Sequence, residues 1–177
     1  MFVEKTQRNK YCAPEEHYVN RRIKMANTYT QLYIHLIFAV EHRDRLIHPS
    51  FKEELQKYIT GTLQNKGNKL LAINTMPDHS HIFLGLNPVY AISNLVGITK
   101  KSSCDFINEK KWLQGKFNWQ EGYGAFSYSH SQIDSVIKYI NNQEQHHKKK
   151  TFKEEYLKML KSFNVLYNDI YLFKFLD

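Results

Sequence analysis

Cysteine is scarce: Cys12 and Cys104 are the only two in 177 residues, and they stand far apart in a pattern that matches no ligand motif. That excludes a disulfide framework and points to a reducing, cytoplasmic setting. Long hydrophobic runs are also missing. None approaches the roughly 20 residues of a membrane span, and the N-terminal stretch has no apolar signal-peptide core, so no membrane partner is expected. Internal repeats and low-complexity domains are absent. Acidic residues are in deficit, 17 Asp and Glu against 25 Lys and Arg, for a formal charge of +8 and a pI near 9.3. Residues 1–24 hold six Lys or Arg and three Glu, a net +3, which leaves +5 for the remainder. A basic body suits polyanions, but charge of this size is common in proteins that never meet nucleic acid.

What is present fits one globular domain with one core: 42% of residues are hydrophobic and 14% aromatic. Residues 1–24 are polar and without clear period. They read as a flexible arm, or as leader upstream of Met25, with residues 25–177 as a single domain. In "YTQLYIHLIFAV", Leu32, Ile34, Leu36, Phe38 and Val40 make one apolar strand face. The other face, with Tyr33, His35 and Ile37, suits a partly wet or functional surface. Phe51, Leu55, Ile59 and Leu63 follow at helical spacing, with Gly67 as the stop. "KLLAINTM" and "HSHIFLGL" read as strands around a Pro77-Asp78 turn. A second helix runs from after Pro88 to about Ile107, and "YGAFSYSHS" is a fourth strand. Ser131 and Asp134 form an S-x-x-D cap for a third helix. A shorter amphipathic helix and an apolar tail, "YLFKFL", close the chain. This order predicts an α+β fold on the ferredoxin-like or RRM-like split βαβ plan: a four-stranded antiparallel sheet with helices on one face, plus a C-terminal helix.

Two places carry chemistry. His79 and His81 alternate with Ser80 on a strand, so both imidazoles point to one face, where they can reach one metal ion. On the third helix Tyr139 and Gln143 stand at i and i+4 on one face, at the edge of the apolar stripe. Each pair alone has an ordinary reading as sheet or helix-edge residues. His35 is either a neighbour of the histidine pair or a satisfied polar residue of the sheet. His146 and His147 diverge by about 100° on a helix, so with Lys148, Lys149 and Lys150 they read as a solvated basic helix end.

"PDHSHIF", followed some sixty residues later by "YINNQEQHH" after "GYGAFSYSHS", resembles the single-tyrosine HUH transposases of the insertion-sequence class called IS200-like. The resemblance spans residues 25 to about 177. It departs at Ser80, where the middle of H-U-H is usually a large apolar residue. Because Ser80 faces away from the histidines, the change bears on packing rather than on a metal. The resemblance implies that Tyr139, on the C-terminal helix, is the nucleophile and that His79, His81 and Gln143 hold a divalent metal, Mg²⁺ or Mn²⁺. It implies attack on single-stranded DNA, a 5′-phosphotyrosine and a free 3′-OH, with a second 3′-OH able to reverse the step. Neutral ligands suit this task, since they do not repel a phosphodiester. The family also implies hairpin ends as the DNA partner and a homodimer with joined sheets, in which Tyr139 of one subunit can serve the histidines of the other. Lys100, Lys101, Lys110, Lys111, Trp112 and Trp119 are candidate DNA contacts, with Lys148, Lys149 and Lys150 beside them. Two other readings stay open. One is a replication initiator or relaxase-type nickase of the same superfamily. The other is a non-catalytic nucleic-acid-binding module, which would need stacking aromatics such as Phe83 on its central strands.

Overall fold

The computed structural model describes residues 29–148 and 150–173. The arm expected over residues 1–24, Lys149 and the end of the apolar tail lie outside them. Four strands, β1 (Tyr33–Ala39), β2 (Lys69–Met76), β3 (His79–Gly85) and β4 (Gly124–Tyr128), form one antiparallel sheet in the order β2-β3-β1-β4. The first and third strands are central because each feeds a helical crossover to an outer strand, as the split βαβ plan requires. The register sets Ile37 opposite His81 and Ala39 opposite His79, so the histidine pair lies at the middle of the sheet.

One face is built as the apolar alternation of β1 dictates. Leu36, Phe38, Ile82 and Leu84 are buried against α1 (Pro49–Asn65) and α2 (Ile92–Lys110). On α1 the stripe Phe51, Leu55, Ile59 and Leu63 recurs every four residues, close to the 3.6 of the helix, and so stays on the sheet. Gly67, at φ +72°, turns the chain out of the helix into β2, and a Cβ there would also sit 2.7 Å from Asn87 Nδ2. Ser80 faces this side, its Oγ donating to Thr75 Oγ1 at 3.2 Å, away from the histidines.

The other face is not wet. Three further helices cover it: α3 (Ile133–Asn141), α4 (Gln143–His147) and α5 (Phe152–Ser162). Val136 and Ile140 pack on Ala72 and Phe83, while Phe152, Tyr156, Met159 and Leu160 pack on Ile37, Ala39 and Phe126. The sheet therefore lies between two helical layers, and His35 and Ile37 are wholly buried. The helical stripes of α3 and α5 need an apolar partner, and this face is the one left open by α1 and α2. The α3 start differs as well. Gln132 Oε1 accepts the Ser129 N–H at 2.9 Å, so the box is Ser129–Gln132 and not Ser131–Asp134, with a 3-10 turn over His130–Gln132 before α3.

Gly124 is what lets α5 approach. A Cβ there would stand 2.9 Å from the Tyr156 ring and 3.0 Å from its hydroxyl oxygen. Gly124→Ala is accordingly expected to cost about 1–3 kcal/mol by overpacking. Urea unfolding measures it, and an unchanged midpoint would mean that α5 shifts without cost.

Candidate active site

The site forms where β3 meets α3, α4 and α5. Strand alternation turns His79 and His81 toward the α3–α5 layer, and Asn74 Nδ2 on β2 ties that layer down by donating to the Ile140 carbonyl at 2.9 Å. The helix expected to carry both Tyr139 and Gln143 breaks at Asn142, with φ −95° and ψ 16°. Both side chains nevertheless reach one carboxylate. The Tyr139 hydroxyl donates to Glu155 Oε1, and Gln143 Nε2 donates to the same oxygen at 2.8 Å. With its nitrogen held there, the carbonyl oxygen of Gln143 is left buried without a hydrogen-bond partner.

His147 stands at i+4 from Gln143 and turns inward. Its Nε2 lies 3.3 Å from Glu155 Oε2, and its ring centroid is 4.9 Å from that of His79. This corrects the expectation of a solvated helix end. The two neighbours do diverge: His147 enters the site while His146, next in the turn, stays exposed with its ring 5.2 Å from that of Tyr139. Lys148 and Lys150 are exposed as expected.

The donor set suits a cation. Ligand atoms of His79, His81, His147 and Glu155 all lie within 4.8 Å of one another. Asp78 Oδ1 is 2.6 Å from His79 Nδ1, which places the proton on Nδ1 and turns Nε2 into a lone-pair donor. His81 Nδ1 is 3.0 Å from His35 Nε2. Burial pushes His35 down to about 3, so it is neutral, and in its Nδ1–H tautomer its Nε2 accepts the His81 Nδ1–H. His81 Nε2 is then free to ligate. That atom and Gln143 Oε1 are buried without a hydrogen-bond partner, which is costly unless a cation or donor satisfies them. Burial, reinforced by His79, His35 and His147, holds His81 well below its ordinary value, as a ligand must be. His35 is thus a neighbour of the site, and it is only half satisfied as a sheet residue: its Nε2 meets His81, while its buried Nδ1 has no hydrogen-bond partner.

Glu155 escaped the sequence reading. The signal was present, since it stands within the buried stripe Phe152, Tyr156, Met159 of α5, where a carboxylate has no packing reason to be. Burial pushes it up to about 7 from an ordinary 4.5. In the metal-free protein the folded state therefore holds this proton more tightly than the unfolded chain. The stability it contributes is full below pH 4.5 and is lost as pH rises to 7, on the order of 3 kcal/mol at most. Metal-free Glu155→Gln should melt above the wild type at pH 8, the difference closing toward pH 4.5. Equal melting curves at pH 8 would contradict this.

The six other candidate contacts lie across the sheet from Tyr139, and five of them have local partners. Lys100 Nζ donates to the Gln120 carbonyl at 2.7 Å and to that of Gly122, and burial lowers it to about 8. Lys101 pairs with Asp105 and Lys110 with Glu54. Trp112 stacks on Phe51 with ring centroids 4.5 Å apart, and Trp119 Nε1 donates to Ser103 Oγ at 2.9 Å. Lys111, left-handed at φ 53°, is exposed. On the side of Tyr139 instead, a groove of about 700 Å³ runs between α3 and α5, lined by Tyr128, Tyr139, His146, Lys150, Glu155, Lys158 and Phe163 among others.

The family model described as "Transposase IS200 like" matches residues 28–143. ISDra2 transposase TnpA of Deinococcus radiodurans is 27% identical over 120 residues, which cover 64% of this chain and 84% of that protein. The crystal structure of a putative transposase from Deinococcus radiodurans aligns with a TM-score of 0.52 and 26% identity, over 68% of this chain and 96% of that one. A REP-associated tyrosine transposase bound to a REP hairpin aligns at 0.52 with 15% identity, over 70% of this chain and 73% of that one, a likeness of fold.

Proposed function

Because this chain belongs to the IS200-like transposase family, we propose that it cuts and rejoins single-stranded DNA at insertion-sequence ends, with Tyr139 as the nucleophile. The observation that carries this is the convergence of Tyr139 with His79, His81 and Gln143 at one buried carboxylate and one cluster of donor atoms. Tyr139 Oη attacks a backbone phosphorus, the bond to the 3′ oxygen breaks, and a 5′-phosphotyrosine and a 3′-OH result. Glu155 Oε1, already accepting the phenol hydrogen bond, takes up the proton and holds the ring on the site, and a proton passed on from it through solvent makes the departing 3′ oxygen a 3′-OH. The ester conserves the bond energy, so a 3′-OH from another strand reverses the step and joins without ATP.

His79, His81 and Gln143 would hold a divalent ion, Mg²⁺ or Mn²⁺ by the family likeness. When bound, it supplies Lewis-acid stabilisation of charge on the phosphate oxygens. The groove between α3 and α5 supports a single strand as substrate. Tyr128 and Phe163 offer rings for bases, and Lys150 and Lys158 offer charge for phosphates. An RRM-like binding module is disfavoured, because Phe83 is wholly buried beneath α3 and cannot stack a base.

The same reading takes residues 25–177 as one catalytic domain with residues 1–24 as arm or leader, acting in the cytoplasm on hairpin ends. Among the described residues no helix is long and apolar enough to cross a membrane. Lys100, Lys101, Lys110, Lys111, Trp112 and Trp119 would serve hairpin contacts on the far side of the sheet. A homodimer with joined sheets is compatible with β2 and β4, each paired on one edge only among the described strands. Within one chain Tyr139 already lies beside His81, with ring centroids 6.2 Å apart. The test is incubation with single-stranded oligonucleotides spanning the element's ends, with Mn²⁺ or Mg²⁺, followed by denaturation. A protein–DNA adduct that EDTA abolishes supports the reading; no adduct from hairpin-bound, metal-loaded protein overturns it.

A further inference from the structure

Beyond the three ligands of that reading, on which this inference rests, the structure assigns His147 and Glu155 to the same ion. We propose that His147 Nε2 and Glu155 Oε2 complete a five-donor site with His79, His81 and Gln143, and that this site selects a first-row transition ion such as Mn²⁺ or Co²⁺ over Mg²⁺.

The geometry argues for one centre. The donor atoms of the three histidines and Glu155 lie within 4.8 Å of one another, while bonds of about 2.1 Å span at most about 4.2 Å across an ion. A contraction of about half an ångström closes the ring, within the reach of side-chain rotation. Gln143 joins because its nitrogen is held at 2.8 Å by Oε1 of Glu155, itself one of the four clustered residues, which leaves the amide oxygen buried without a partner.

The placement of Glu155 is hard to explain otherwise. It is 8% exposed on the apolar stripe of α5, and its two oxygens face different groups: Oε1 faces Tyr139 and Gln143, Oε2 faces His147. Breaking the stripe with a charge is unfavourable unless the charge is paired, and a divalent ion among neutral imidazoles supplies the pairing. One carboxylate against a 2+ ion leaves the centre net positive, still attractive to a phosphodiester. The donor chemistry then sets the ion. Mg²⁺ takes oxygen ligands and keeps its waters, whereas three imidazoles favour the transition series.

The test titrates metal-free full-length protein with Co²⁺, following the visible absorption of the ion, and then with Mn²⁺ in the presence of excess Mg²⁺. Glu155→Gln and His147→Ala are the variants, with His81→Ala as the comparison. The expected result is one Co²⁺ per chain in the wild type, not displaced by a hundred-fold excess of Mg²⁺. Each of the two variants should lose at least about ten-fold in affinity and show an altered Co²⁺ spectrum. Glu155→Gln keeps the shape of the side chain, and its metal-free form should be no less stable than the wild type, which separates lost ligation from lost fold. Unchanged affinity and spectrum in both variants, with binding lost in His81→Ala, would overturn the five-donor site and leave the three-ligand reading standing. Displacement by Mg²⁺ would overturn the selectivity. No uptake by the wild type would overturn both.

Discussion

Tyr139→Phe protein, mixed with single-stranded element ends and metal, forms no covalent adduct and cuts no DNA, with a loss of at least about 10³-fold against the wild type. The substitution removes one oxygen and nothing else that the fold uses. Tyr139 is half-buried at the groove wall, and its ring contacts with His35 and His81, at 6.2 Å each, survive in phenylalanine. Glu155 loses one donor but keeps Gln143 at 2.8 Å. The variant should therefore bind hairpin DNA and metal as the wild type does, and its melting temperature should move little. This combination separates a nucleophile from a structural tyrosine. A Tyr139→Phe protein that still forms an adduct would mean that another side chain attacks, and Tyr139 would become a residue of the groove wall.

His81→Ala should abolish both ion uptake and cutting, the latter by at least about 10³-fold, since Lewis-acid stabilisation is worth several kcal/mol. His81 is the most central of the site residues. It is wholly buried, its Nδ1 is tied to His35 at 3.0 Å, and its Nε2 faces the other donors, 4.0 Å from Glu155 Oε1. Removing the ring also opens a cavity against Phe152, so a fold control is needed. His81→Asn supplies it by keeping a polar side chain of smaller volume. Thermal melts of both metal-free variants report the cost of the cavity, and calorimetric metal titration reports the ligand. If cutting persists at full rate in folded, metal-free His81→Asn, the histidines are ordinary sheet residues and the chemistry runs without the ion.

Taken together, the variants at 139, 81 and 155 divide the site by role. The first should lose cutting but keep the ion. The second should lose both. Glu155→Gln should weaken ion binding while raising the stability of the metal-free fold near pH 8, because burial of that carboxylate is unfavourable for folding. A residue retained at a cost to stability is best explained by the chemistry it serves.

Periodicity alone placed all four strands and the helices of the first layer, because strand alternation and the α1 stripe are local patterns that survive in one dimension. The same alternation put His79 and His81 on one face, and i, i+4 spacing put Tyr139 with Gln143. Continuing that spacing one more turn reaches His147, so its inclusion was legible, though the adjacent His146 and the lysine run gave it the look of a solvated end. Two things only the tertiary structure decided. The odd face of β1 is covered, because α3 and α5 carry apolar stripes with nowhere else to dock. Glu155 meets Tyr139 and Gln143 across sixteen and twelve residues of chain, with a helix break between. Pattern reading reaches partners within a turn of helix or a step of strand. Contacts closed by the docking of whole helices depend on where the packed layers come to rest, and no local period encodes that.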